Sequence, residues 1–232
     1  MSESFINNFA GRENIEWSNF WYDQADAPYQ KRMLMIGDST SRVIRRMLSE
    51  IMNYPIDLFA TSAAFRDIIF WNQLDCFFKD SIYSKYDYIT IWLGNHSRIN
   101  EMGNGPFEQH DYDRLAIDFK KLLEYVAKYR AKTLVMPSLY IFEPWKQKYP
   151  KEATIRKKLN IWPPEVLNEE ESLIVRRKNT IMEKVAKENG FAFFNIAECM
   201  MSTKYRHTDH IHYESAANPL MCQKIKEQLE KL

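Results

Sequence analysis

The sequence has no long hydrophobic run and no excess of charge of one sign. No stretch of 18 or more apolar residues occurs in its 232 residues, so no segment is predicted to span a membrane as a helix. The 32 basic and 31 acidic residues give a net charge of +1, which indicates neither nucleic acid nor a membrane surface as a partner. Residues 1–18 are polar and lack the apolar core of a secretory signal, so we expect a cytoplasmic protein.

Cysteine is also scarce. The three cysteines, Cys76, Cys199 and Cys222, lie far apart in the chain. Their spacing matches neither a zinc site nor a disulfide framework. We interpret them as buried, reduced thiols of a cytoplasmic protein, and we expect no metal and no other cofactor.

The apolar residues that are present form short runs that alternate with helical patterns. Apolar residues make up 45% of the chain and aromatic residues 14%, enough for the core of one large domain over residues 1–232. This alternation predicts an α/β protein, a three-layer α/β/α sandwich around a parallel, flavodoxin-like sheet. Five strands are expected, at residues 33–36, 55–60, 86–93, 132–136 and 191–195.

Two segments depart from the alternation. Residues 1–30 are aromatic and irregular, and we expect a lead-in packed onto the domain, part of which could lie over the site. Residues 140–168 contain four prolines and two tryptophans. Such an insertion is typical of a lid or a partner surface, but equally of a surface excursion with its own aromatic cluster.

A hydroxyl-rich turn follows the first predicted strand. Gly37-Asp38-Ser39-Thr40-Ser41 leads directly into an amphipathic helix, and Gly37 would allow unusual backbone angles in the turn. The hydroxyls could cap the helix or hold a phosphate at its N-terminus. Alternatively, Ser39 could be a nucleophile at the carboxyl edge of the sheet, where α/β proteins place their ligands.

Two more polar loops are predicted at a sheet edge. Gly94-Asn95-His96-Ser97 follows the third predicted strand, and His207-Thr208-Asp209-His210-Ile211-His212 precedes the last predicted helix. A serine hydroxyl needs an adjacent base to be a nucleophile at neutral pH, and histidine can supply it. The other nitrogen of that histidine needs an acceptor to hold it.

The two outer motifs together resemble the SGNH/GDSL hydrolase superfamily. The resemblance rests on Gly37-Asp38-Ser39 near the start and Asp209-His210-Ile211-His212 just before the last helix. It implies a three-layer α/β/α fold, Ser39 as the nucleophile, His212 as the general base and Asp209 as the residue that orients His212. The Ser39 backbone N–H would contribute to the oxyanion hole.

The remaining oxyanion donors depart from the pattern of the superfamily. Its usual glycine after the second strand is absent, because the turn is Thr61-Ser62-Ala63; the N–H of Ser62 or of Ala63 could still donate. The usual asparagine two positions after the glycine of the third turn is replaced by His96. We expect His96 or the neighbouring Asn95 to donate to the oxyanion.

A weaker similarity indicates a class of substrate. Gly37 to Arg42, together with His96, is similar to the branch that acts on acylated polysaccharides, which includes plant cell-wall O-acetyltransferases and related esterases. Arg42 is therefore a candidate for substrate binding, although an arginine in a first helical turn is also typical of a solvated surface. We expect an esterase for the O-acyl, in particular O-acetyl, group of a small or carbohydrate substrate, or an acyltransferase with the same triad.

Two interpretations of another class stay open. A flavodoxin-like protein could bind FMN or phosphate through Ser39, Thr40 and Ser41, and a catalytically silent module could keep the fold alone. The histidines could also bind a metal, but their order does not match the zinc motif of metallo-β-lactamases, so we interpret His207 and His210 as loop residues that flank the pocket. The sequence predicts no oligomeric state.

Overall fold

A six-stranded sheet forms the centre of the protein. The computed structural model describes residues 17–26, 31–80, 86–93, 96, 108–142 and 166–232. The strands are β1 Ser18–Trp21, β2 Met33–Gly37, β3 Ile56–Thr61, β4 Tyr88–Trp92, β5 Lys132–Met136 and β6 Ala192–Phe193. Their order is β1-β3-β2-β4-β5-β6. Strands β2 to β6 are parallel, and their mutual order is that of flavodoxin-like sheets, so the predicted parallel, flavodoxin-like sheet is confirmed.

The predicted number of five strands was wrong, because β1 adds a sixth. This strand pairs antiparallel with β3, with Ser18 opposite Thr61 and Trp21 opposite Leu58. It has only four residues, and its pattern of exposure does not alternate as it would in a half-buried strand. Ser18 and Asn19 have little strand propensity, so pairing with β3, rather than local sequence, makes this segment a strand.

Helices cover both faces of the sheet, which confirms the three-layer architecture. They are α1 Ser39–Met52, α2 Ile68–Asp80, α3 Gln109–Ala127, α4 Glu169–Glu188, α5 Ile196–Met201 and α6 Asn218–Leu229, with a 3₁₀ turn at Ser215–Ala217. Alternate residues of β2 point to opposite cores, as the two-residue period of a strand requires. Met33 and Met35 pack with α1, α5 and α6, whereas Leu34 and Ile36 pack with α2, α3 and most of α4.

Several smaller expectations are changed or left open by the structure. Of the three thiols predicted to be buried, Cys222 is buried, Cys199 is intermediate and Cys76 is exposed on α2. Most of the insertion predicted at residues 140–168 lies outside the described residues, as does much of the lead-in at residues 1–30. Within the described ranges, no helix combines the length and the apolar character needed to cross a membrane.

A buried ion pair and its hydrogen bonds connect the lead-in to the end of the sheet opposite Ser39. Arg32, 3% exposed, pairs with Asp57, which is fully buried. The Tyr86 hydroxyl donates to Asp57 Oδ2 over 3.0 Å and the Asp23 N–H donates to Oδ1 over 2.9 Å. Burial raises the pKa of the Asp57 carboxyl, although these hydrogen bonds and the Arg32 charge oppose the shift.

Candidate active site

Ser39 lies where the central strand β2 passes into helix α1. Asp38 is the N-cap of that helix, and its buried carboxylate accepts a hydrogen bond from the Thr40 N–H over 3.0 Å. Strand β2 lies between β3 and β4, so its carboxyl end is the topological switch point at which such sheets bind ligands. Ser39 is therefore partly exposed at the edge of the sheet where chemistry is expected.

Gly37 is required by close packing rather than by unusual backbone angles. Its φ is not positive, which corrects the expectation from the sequence. A Cβ atom at Gly37 would lie 1.9 Å from Ser41 Oγ and 2.5 Å from Ser41 Cβ, and 3.2 Å from the Trp92 carbonyl oxygen. Only glycine lets α1 begin this close to the end of β2 and so fixes the position of Ser39.

The structure brings Ser39 together with Asp209 and His212 from the other end of the chain. Ser39 Oγ lies 2.6 Å from His212 Nε2, across 173 positions of sequence. His212 Nδ1 lies 2.8 Å from Asp209 Oδ2. Both distances are those of hydrogen bonds, and the serine–imidazole–carboxylate order is that of a serine triad.

The loop that carries Asp209 and His212 is held by its own hydrogen bonds. Asp209 Oδ1 accepts from the N–H groups of Ile211 and His212, each over 2.8 Å. The Thr208 N–H donates to the His212 carbonyl oxygen over 2.6 Å. The Asp209 carboxylate therefore fixes both the imidazole and the backbone that carries it.

A cluster of three rings supports this loop from the protein interior. His207 is 6% exposed, and its ring centroid lies 3.9 Å from those of both Phe142 and Tyr213. The Phe142 N–H donates to the His210 carbonyl oxygen over 2.8 Å. His207, expected to flank the pocket, is thus packed beneath the loop. Within the described ranges, no cluster of three or more histidine, cysteine or acidic side chains is arranged to hold a metal ion.

The charges of the site favour a protonated imidazole next to an ionised carboxylate. The hydrogen bond to Asp209 raises the pKa of His212, which burial and His96 oppose and the nearby Asp38 reinforces. Burial alone would raise the pKa of Asp209, but hydrogen bonds from the His212 ring and from the His212 and Ile211 N–H groups hold it well below its usual range. Asp209 therefore stays ionised while His212 titrates.

The predicted oxyanion donors have different surroundings. The Ser62 N–H donates to the Trp17 carbonyl oxygen over 3.0 Å, and the Ala63 N–H donates to Thr61 Oγ1 over 3.0 Å. To donate to an oxyanion, the Ser62 or Ala63 N–H would have to break its present hydrogen bond or share its proton between two acceptors. The Ser39 N–H is at the first position of α1, where the helix offers it no acceptor.

His96 lines a small depression beside the N-cap of α1. The other lining residues are Asp38, Thr61, Ala63, Ala64, Phe65 and Leu93. Asn95, the alternative donor, lies outside the described residues. The roles of Ser62, Ala63, Asn95 and His96 stay predictions.

Sequence reasoning missed Trp17, which lies close to the site. The Arg42 guanidinium carbon is 5.1 Å from the centroid of the Trp17 ring, and the His96 ring meets the same indole edge-on at 6.3 Å and 84°. Arg42 is exposed, one turn after Ser39 on α1. The aromatic lead-in was visible in the sequence, but no motif distinguishes Trp17 from Trp21 or Phe20.

Comparisons with known proteins give matches among solved structures. No protein-family model and no curated protein matches the sequence. A GDSL-like lipase from Bacteroides thetaiotaomicron aligns over 87% of this chain and 88% of its own, with 16% identity and a TM-score of 0.57. An acetyl xylan esterase aligns over 84% and 98%, with 13% identity and a TM-score of 0.56.

A third match is a lipase/acylhydrolase from Enterococcus faecalis, which aligns over 88% of this chain and 97% of its own. Its identity is 10% and its TM-score 0.56. At such identities the likeness is one of fold. Together with the six-stranded sheet, it confirms at the level of the fold what the Gly-Asp-Ser and Asp-x-x-His motifs predict: the chain has the fold of the SGNH/GDSL hydrolase superfamily.

Proposed function

We propose that the protein is a serine esterase that hydrolyses an O-acyl ester through an acyl-serine intermediate. The observation that carries the proposal is the chain of contacts from Ser39 Oγ to His212 Nε2, 2.6 Å, and from His212 Nδ1 to Asp209 Oδ2, 2.8 Å. The esterases and acylhydrolases among the structural matches support it.

The first half of the reaction forms the acyl-enzyme. Ser39 Oγ attacks the ester carbonyl carbon while His212 Nε2 takes the hydroxyl proton. Asp209 keeps the proton of His212 on Nδ1 and stabilises the imidazolium. His212 then returns the proton to the departing alcohol oxygen as the carbon–oxygen bond breaks.

The second half releases the acid. His212 Nε2 takes a proton from water, and the resulting hydroxide oxygen attacks the acyl carbon. The proton passes to Ser39 Oγ as its bond to the acyl carbon breaks. The Ser39 N–H and His96, or Asn95, are the proposed donors to the oxyanion in both halves.

We propose a short acyl group, such as acetyl, and a small or carbohydrate alcohol. The depression next to Asp38 and His96 is lined by Phe65 and Leu93 and is small, which leaves no space for a long acyl chain. One of the structural matches is named as an acetyl xylan esterase. An O-acetyltransferase would use the same three residues and differ only in passing the acyl group to a sugar hydroxyl instead of water.

The phosphate-binding alternative is disfavoured by the N-cap of α1. The buried carboxylate of Asp38 already accepts from the Thr40 N–H. A phosphate at the same helix terminus would have to approach this negative charge, whereas an uncapped terminus would attract it. A flavin or phosphate cradle built from Ser39, Thr40 and Ser41 therefore fits these residues poorly.

Labelling of Ser39 tests the proposal. The purified protein is treated with a fluorophosphonate probe and assayed with p-nitrophenyl acetate. We expect covalent labelling of Ser39, its loss in Ser39→Ala, and strongly reduced labelling and hydrolysis in His212→Ala. Ser41→Ala is the matched control, because this neighbouring serine is fully buried, and it should be labelled at the wild-type rate.

Two results would contradict the proposal. One is labelling that survives Ser39→Ala, which would place the nucleophile elsewhere. The other is a protein that neither reacts with the probe nor hydrolyses acetate esters, which would favour a silent binding module. Addition of an acetylated sugar as donor and a free sugar as acceptor measures the partition between hydrolysis and transfer.

A further inference from the structure

The antiparallel strand β1 places Trp17 at the edge of the sheet that carries Ser39. In the register of the sheet, Ser18 is opposite Thr61 and Gly37 is beside Ala60, so Trp17 lies just past the end of β3, level with the turn at Ser39. Its N–H donates to Ser62 Oγ over 2.8 Å. Its carbonyl oxygen accepts from the Ser62 N–H over 3.0 Å and from Thr61 Oγ1 over 3.1 Å. The backbone that carries the indole is thus fixed to the turn where an oxyanion donor is expected.

The indole of Trp17 is in contact with the guanidinium of Arg42. The two lie 5.1 Å apart, within the range of a cation–π contact. A guanidinium on an aromatic ring loses much of its freedom but keeps its N–H donors for another ligand. Ser39 and Arg42 are three positions apart on α1, so they share a face of the helix with their Cβ atoms about 5–6 Å apart.

The charge of Arg42 is not neutralised by the described part of the chain. Its neighbours on α1 differ in this respect: Arg45 pairs with Asp23 at 3.3 Å and Arg46 with Glu50 at 3.2 Å. For Arg42, the described residues offer an aromatic contact but no carboxylate. An exposed, ring-held guanidinium next to a reactive serine is suited to bind a carboxylate from the substrate, since its donors match both oxygens.

We propose that Trp17 and Arg42 form a recognition site for a carboxylate in the alcohol part of the ester, so that the preferred substrates are acylated sugar acids. This inference rests on the proposed esterase function. The depression beside Asp38 is too small for the larger alcohol part, so that part extends to the exposed side, where Arg42 lies. Arg42 binds the carboxylate, and Trp17 is a positioning residue that acts through Arg42.

A matched pair of esters tests the site. The first ester is methyl 3-O-acetyl-galactopyranosiduronate with an unesterified carboxylate, and the second is methyl 3-O-acetyl-galactopyranoside. The two differ only at C6, which is a carboxylate in the first and a hydroxymethyl group in the second. We expect the wild-type protein to favour the acidic ester by about tenfold in kcat/KM, mainly through KM, as one charge-assisted contact allows. The preference should shrink as ionic strength rises, because Arg42 is exposed.

Substitutions assign the preference to its residues. In Arg42→Gln the ratio of the two kcat/KM values should fall to about one to two, and in Trp17→Ala it should fall because KM rises more for the acidic ester than for the neutral ester. Trp17→Phe keeps a ring for the guanidinium and should retain most of the preference. Arg46→Gln is the matched control, since this arginine is exposed on the same helix but paired with Glu50; its ratio should equal that of the wild type.

Three results would overturn the inference. They are a wild-type ratio near one, a ratio that Arg42→Gln leaves unchanged, and a Trp17→Phe variant as impaired as Trp17→Ala. If Trp17→Ala does not fold, the ratios measured for Arg42→Gln and Trp17→Phe still test the inference. A protein that hydrolyses the neutral ester and is labelled at Ser39 but shows no preference refutes only this inference, whereas absence of labelling and of all hydrolysis refutes the esterase function itself.

Discussion

The pKa of His212 controls the pH dependence of the proposed reaction at the scale of a single residue. His212 must be neutral to accept the Ser39 proton, and its hydrogen bond to Asp209 raises its pKa above the usual 6.5. We therefore expect kcat/KM for an acetate ester to rise with pH through a midpoint above 6.5. In Asp209→Asn this midpoint should move down and kcat should fall by about 10³–10⁴-fold. A pH–rate profile of the two proteins measures both, and an unchanged midpoint would contradict the assigned pair.

The same pair predicts a pH dependence of stability. The pKa of His212 is raised in the folded protein, so its stabilising contribution is complete below pH 6.5 and is lost as the pH rises through the folded value. The pKa of Asp209 is lowered, so its contribution is present above about pH 4 and lost on acidification. The unfolding free energy lost in His212→Ala, measured with urea, should therefore be larger at pH 5.5 than at pH 8.5. Equal losses at the two pH values would argue against a charged pair.

A third prediction at the scale of a single residue concerns the packing around Gly37. The Cβ of Gly37→Ala would overlap Ser41 Oγ and crowd the Trp92 carbonyl oxygen, and such overpacking costs about 1–3 kcal/mol. We expect a lower free energy of unfolding in urea together with lost labelling of Ser39, because α1 must shift. The double variant Gly37→Ala/Ser41→Gly removes the nearest atoms and should recover part of the stability. No recovery would point to the contact with Trp92 as the dominant clash.

At the scale of elements, the rings beneath the loop of Asp209 and His212 connect this loop to the segment after β5. The His207 ring stacks on Phe142 and is tilted against Tyr213, and the Phe142 N–H donates to the His210 carbonyl oxygen. We expect His207→Ala to lower kcat more than it lowers the melting temperature, because the loop loses its support while the domain core is intact. His207→Phe keeps a stacked ring and should restore most of kcat. Equal kcat in both variants would show that the ring does not position the loop.

The sequence predicted the elements that carry their own periodic signal. Buried strands such as Met33–Gly37 and long amphipathic helices such as Glu169–Glu188 have local patterns that survive in the fold. Gly190, just after that helix, has a positive φ, as is common for a glycine that ends a helix. Strand β1 and helix Ile196–Met201 were not predicted, since four and six residues are too few for a period. Both elements are stabilised by long-range contacts, β1 by its pairing with β3 and the helix by its packing in the core.

At the scale of the whole molecule, we expect the Arg32–Asp57 pair to affect the free energy of unfolding. Each partner is buried, so removal of one leaves an uncompensated charge, at a cost of about 3–5 kcal/mol. Arg32→Met should therefore lower the urea midpoint strongly, and Arg32→Met/Asp57→Leu should be less destabilised than the single variant. A double variant at least as unstable as Arg32→Met would mean that the bonds of Asp57 to Tyr86 and Asp23 matter more than the charge.

The three residues of the proposed triad could be predicted because their motifs are local, even though 173 positions separate Ser39 from His212. The residues that surround the proposed triad could not be predicted from the sequence. Trp17 comes to the site through the register of β1 on β3, and the Ser62 N–H is engaged by the Trp17 carbonyl oxygen for the same reason. Long-range pairing of this kind leaves no trace in the local sequence.

The packing of α6 against α1 has a consequence for the protein during its synthesis. Ile44 and Leu48 of α1 share a core with Met221 and Ile225 of α6, and Cys222 Sγ lies 3.8 Å from the Ile44 carbonyl oxygen. Until the ribosome has translated α6, the helix behind Ser39 lacks its cover on that side, and until it has translated His212 the imidazole is absent. The contacts that join Ser39, Asp209 and His212 can therefore form only after residues 209–229 have been synthesised, long after Ser39 itself.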